Sequence, residues 1–135
     1  MRNELLKVAD RLAAADGPDR DMNVEIAQAL GLSVGYAGTG MIPFDEETGN
    51  PLPNWVFSLD DAFTLVPEGL SASATRQGNL RGAAEIWRWV PEKYAEMYGG
   101  PEELRRRNGS FAHQNVGAAT PALALCIAAL RARAA

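Results

Sequence analysis

Few side chains in this chain have the types and spacing that chemistry needs. His113 is the only histidine. General acid–base work needs a positioned partner for an imidazole, and a zinc site needs about four ligands. No Cys/His spacing supplies either, so the sequence predicts no metal site. Cys126 is the only cysteine, which excludes an internal disulfide. Its place among alanines and leucines predicts a buried, inert thiol rather than a nucleophile. Ser58, Ser71 and Ser73 have no nucleophile-elbow context. Asp60 and Asp61 form an acidic pair, but both fall in the first turn of a predicted helix, where capping and the macrodipole account for them. The run Gly35-Tyr36-Ala37-Gly38-Thr39-Gly40 lacks the Gly-Lys-Ser/Thr ending of a phosphate loop. No catalytic set and no cofactor follow from these residues.

Binding has better candidates than catalysis. Trp87, Arg88 and Trp89 are consecutive. Aromatic and arginine side chains anchor interfaces and stack on bases. Packing in a core accounts for the tryptophans more simply. These three, with His113, are the candidate binding residues. Arg105-Arg106-Arg107 is the one basic run, and Glu102 and Glu103 beside it suggest a solvated face. The net charge is −4, which argues against general nucleic-acid affinity.

The 135 residues are read as one domain, 1–135, since domains commonly hold about 100–150 residues. A hydrophobic share of 47% can supply a core. The N-terminal stretch is amphipathic rather than a signal peptide, and no run approaches the roughly 20 apolar residues of a membrane span. A cytoplasmic protein with no membrane partner is the expectation.

The elements that must position these residues are marked by local signals. The most complete is the last helix, from Thr120 to Arg133. Thr120 caps it, Pro121 fits its first position, and Arg131 and Arg133 sit at the negative end of its dipole. Between them no side chain is polar. A helix apolar all round is a buried helix, so the rest should pack on it. Leu5, Leu6, Val8, Ala9 and Leu12 mark a first helix over 3–14. A second helix begins near Asp19 and stops at Gly31. Residues 32–54 are rich in glycine and proline. Met41-Ile42-Pro43-Phe44 and Pro51-Leu52-Pro53 there flank an acidic turn, as in a small irregular hairpin.

Trp55-Val56-Phe57 reads as a short extended piece. Ser58 then caps a middle helix, with Leu59, Ala62, Phe63 and Val66 as its apolar face and Pro67 as its stop. Residues 70–75 alternate as a weak strand, and 84–90 is the strongest strand. Asn108-Gly109 is a turn signal, and 110–116 a return strand. Because both sides of 84–90 carry large apolar residues, helices are expected on both faces of the sheet.

Three of these stretches resemble a known family. They are Asn50-Pro51-Leu52-Pro53, then Phe57-Ser58-Leu59-Asp60-Asp61-Ala62-Phe63-Thr64-Leu65-Val66-Pro67-Glu68-Gly69, then Ala119-Thr120-Pro121-Ala122-Leu123-Ala124-Leu125-Cys126. Together with Gly17-Pro18-Asp19-Arg20 they look like the phage ABA sandwich domain family. These are small phage and prophage proteins of unknown function. The chain departs from the pattern at Asp61 and Phe63, where small residues or leucine are common. The resemblance implies a small layered domain from a phage, and carries over no catalytic residue.

The expected fold is therefore α/β in the α+β sense. A small, mainly antiparallel sheet is layered with helices as an α/β/α sandwich, with the C-terminal helix buried. The expected function is that of a non-enzymatic phage accessory protein, acting in the host cytoplasm on a protein or small-molecule partner. The alternative is a protein that binds or sequesters a small ligand, such as a nucleotide, against host defence. The exposed edges of a small sheet leave room for a homo-oligomer.

Overall fold

The computed structural model describes residues 1–76, 81–88 and 114–134, with the backbone alone at 87, 88, 114 and 115. Helix α1, Arg2–Ala14, buries Leu5, Ala9 and Leu12, a 4-then-3 spacing that keeps one face inward. Helix α2, Asp21–Ala29, buries Met22, Ile26, Ala27 and Ala29. Gly31, at φ 85°, ends it. Its N–H donates to the Gln28 carbonyl, and the Leu32 N–H donates to that of Ala27, so two otherwise unpaired carbonyls are met. Arg11 Nε lies 2.6 Å from Glu25 Oε2 and ties α1 to α2.

The glycine-rich stretch forms a hairpin ahead of the acidic turn. Strands β1, Val34–Ala37, and β2, Ile42–Asp45, pair antiparallel around residues 38–41. Gly38 and Met41 both take positive φ there. The acidic turn follows, flanked by irregular antiparallel pairing as the sequence predicts: the Glu47 N–H donates to Asp45 Oδ1, Phe44 bridges Pro51, and the Asp45 and Leu52 N–H groups donate to the Asn50 and Pro43 carbonyls. Proline cannot donate to a ladder, which limits what Pro51 and Pro53 can add to a strand.

Residues 55–57, expected to be extended, turn instead: the Phe57 and Ser58 N–H groups both donate to the Asn54 carbonyl. Helix α3 is short, Leu59–Phe63, and Ser58 Oγ caps it by accepting from the Asp61 N–H at 3.2 Å. Beyond it the Thr64, Leu65 and Val66 N–H groups each donate three residues back. That tighter winding aligns positions three apart, so Ala62 and Leu65 face inward while Phe63 is 40% exposed. The expected apolar face, with Phe63 on it, was built on α-helical spacing that this segment abandons.

Strands β3, Leu70–Arg76, β4, Gly82–Arg88, and β5, Gln114–Ala118, form a three-stranded antiparallel sheet in chain order. Ala84, Ile86, Val116 and Ala118 are buried on one face, where Leu70, Ala72 and Ala74 also meet the core. Ser71, Ser73, Thr75, Ala83, Glu85 and Trp87 hold the register positions of the other row.

Helix α4, Pro121–Ala134, lies on the apolar row, and every side chain from 122 to 130 is buried. Thr120 Oγ1 accepts from the Leu123 N–H at 3.2 Å, as a cap should. A Cβ at Gly82 would stand 2.1 Å from Pro121 N, so glycine is what lets the start of α4 press onto β4. Helix α4 touches all three strands, and α1 and α3 pack on α4. This is an α+β fold with its C-terminal helix buried, as the sequence predicts. The helix expected against the second sheet face has no counterpart among the described elements, because α1 and α3 reach the sheet through α4. No helix among the described residues is long and apolar enough to cross a membrane.

Candidate functional site

The groups that could do chemistry are largely engaged in holding the fold. Cys126 is fully buried on α4, and its thiol donates to the Trp55 carbonyl at 3.3 Å. Burial pushes that thiol up to about 12, far from the range of a nucleophilic cysteine. Ser58 is occupied as a cap. Asp61 Oδ2 accepts from the Asn54 N–H at 2.8 Å, which fixes the segment ahead of its own helix. Among the described residues no group of three or more His, Cys, Asp or Glu could hold a metal ion.

Trp55 is the residue that sequence reasoning missed. It is buried; its indole N–H donates to Thr64 Oγ1 at 3.2 Å, and its carbonyl accepts from Cys126. Beside it, Asn23 accepts from the Val56 N–H at 3.1 Å and donates through Nδ2 to Asn54 Oδ1 at 2.9 Å. Arg133 Nε closes the other end of the segment on the Leu65 carbonyl at 2.6 Å. Two helices, α2 and α4, thus grip residues 54–65 by side chains far apart in the chain. No local pattern signals these partners.

What that grip displays is apolar. Phe57, Leu59 and Phe63 are all exposed, while Trp55, Val56, Ala62 and Leu65 of the same segment are buried. Leu59 and Phe63 stand one helical turn apart on the outer side. Asp60 is exposed between them. Elsewhere, the β1–β2 hairpin exposes Tyr36, Met41 and Ile42, with Met41 63% exposed in the turn.

Of the candidates named from sequence, Trp87 and Arg88 occupy the end of β4, opposite Ser71 and Leu70 of β3. Trp89, His113 and the Arg105-Arg106-Arg107 run lie outside the described residues, as do Val90 and the Asn108-Gly109 turn. The side chains of Trp87 and Arg88 lie outside the described residues as well. No family model, no curated protein and no solved structure matches the chain.

Proposed function

We propose that this is a small phage or prophage accessory protein of the ABA sandwich kind. It works in the host cytoplasm by binding a protein partner rather than by catalysis. The observation that supports the reading is the outer side of residues 57–63. Phe57, Leu59 and Phe63 are exposed there on a segment whose inner side is tied down by Asn23, Trp55 and Arg133. A rigid element that presents large apolar side chains has the anatomy of a binding anchor. The groups that could have argued for catalysis instead, Ser58, Asp61 and Cys126, have structural partners.

The test is affinity purification of the tagged chain from a bacterial host, as wild type and as Phe57→Ser/Phe63→Ser. The reading expects one host protein at constant stoichiometry with the wild type. Recovery should fall at least about tenfold with the variant, at unchanged Tm. Equal recovery from both would contradict it. So would the absence of any such protein together with a thermal shift of several degrees on adding a nucleotide, which is the outcome the sequestration reading expects.

A further inference from the structure

Charge and exposed apolar area are distributed together along this chain. Residues 21–75 hold eight Asp and Glu and no Lys, Arg or His, although the whole chain has a net charge of only −4. The same stretch supplies every exposed large apolar side chain among the described residues except Met1. A surface built from it is apolar and negative at once.

The outer side of α3 shows both properties at close range. Residues 54–69 carry Asp60, Asp61 and Glu68 and no cation. Asp60 is exposed next to Leu59, on the turn that leads to Phe63. Its carboxylate has no hydrogen bond or ion pair among the described residues. Asp61 holds the Asn54 N–H and adds a second negative charge to the same turn. The cation that the described structure bonds to this segment is Arg133, and its Nε is spent on the Leu65 carbonyl rather than on a carboxylate. A partner that covers Phe57, Leu59 and Phe63 therefore brings its own surface up against unneutralised acid. Like charge there costs several kcal/mol, whereas opposite charge speeds encounter and fixes register. The same field repels phosphate, which counts against a nucleotide on this side.

We infer that the partner of this surface is a basic amphipathic protein segment, whose apolar anchors cover Phe57, Leu59 and Phe63 while a Lys or Arg beside them meets Asp60. This rests on the reading of residues 57–63 as a binding surface and adds the chemistry of what binds there.

Two dye-labelled helical peptides serve as probes for the full chain. Both carry leucine at i, i+3, i+4 and i+7; the remaining positions are lysine in one and glutamate in the other. Fluorescence anisotropy should show the wild type binding the lysine probe at least about tenfold more tightly than the glutamate probe. Asp60→Lys should weaken the lysine probe about fivefold and tighten the glutamate probe. Raising NaCl from about 50 to about 500 mM should narrow the gap between the two probes. Phe57→Ser/Phe63→Ser should weaken the lysine probe at least about tenfold. Circular dichroism checks that each exposed substitution leaves the fold intact. Equal binding of the two probes, or a lysine probe indifferent to Asp60→Lys, overturns the inference. If the serine variant still releases the probes in that case, the apolar binding surface itself stands. A lysine probe that the serine variant binds as tightly as the wild type defeats both, because it sits elsewhere. A wild type that binds neither probe also overturns the inference, and affinity purification from the host then decides the binding reading alone.

Discussion

Asn23 is the one buried polar side chain among the described residues. Both ends of its amide are used, toward Asn54 and Val56. Asn23→Ala leaves the Val56 N–H without its acceptor in a buried setting, so chemical denaturation should show a loss of about 1–3 kcal/mol. Cys126 makes a second prediction. Its folded pKa is raised, so the folded state favours the protonated thiol. That contribution is intact below the unfolded value of about 8.5. It is lost as pH rises from there toward about 12. A thiol reagent should therefore label the native protein only as fast as it unfolds, at pH 7 and at pH 9 alike; rapid native labelling would show that the sulfur is accessible. The third prediction separates two neighbours on one segment. Leu65→Ala should cost about 2–5 kcal/mol and Phe63→Ala under about 1 kcal/mol, because only Leu65 is buried. Equal losses by urea denaturation would place both on the core.

At the scale of elements, Gly82 carries the sharpest expectation. Gly82→Ala drives a methyl group into the backbone at Pro121, and β4 and α4 would have to separate. The expected loss is about 1–3 kcal/mol, read as a lowered Tm, and an unchanged Tm would mean the contact is looser than described. Where an element is specified by neighbours in sequence, it was legible. The Leu5, Ala9, Leu12 stripe, the Gly31 stop and the Thr120-Pro121 start of α4 each act within a turn or two, and each stands where expected. The misreadings arose where geometry departs from the local pattern. Met41 takes a positive φ, which its residue type does not advertise, so the β1–β2 turn is not legible in the sequence, whereas the acidic turn after it is. The winding after Phe63 tightens, which turns that ring outward. Trp55 depends on Thr64 and Cys126, and Asn23 on Asn54 and Val56; no periodicity links residues so far apart. Helical spacing alone assigns Leu59 and Phe63 to the core, and both are exposed.

The whole molecule is organised from α4 outward, with the sheet against one side of it and α1 and α3 packed on it as well. That arrangement uses the only thiol and the terminal Arg133 to fasten the 54–65 segment, and it leaves the aromatic side of α3 facing out. The central claim is that this side exists for a partner. Photo-crosslinking tests it most directly. A photoreactive amino acid is placed at position 63 and, as control, at exposed Lys7 on α1, in full-length protein inside a bacterial host. The account predicts a covalent adduct with one host protein from position 63 and none from position 7. Equal adducts from both positions, or an adduct from position 7 alone, would contradict it.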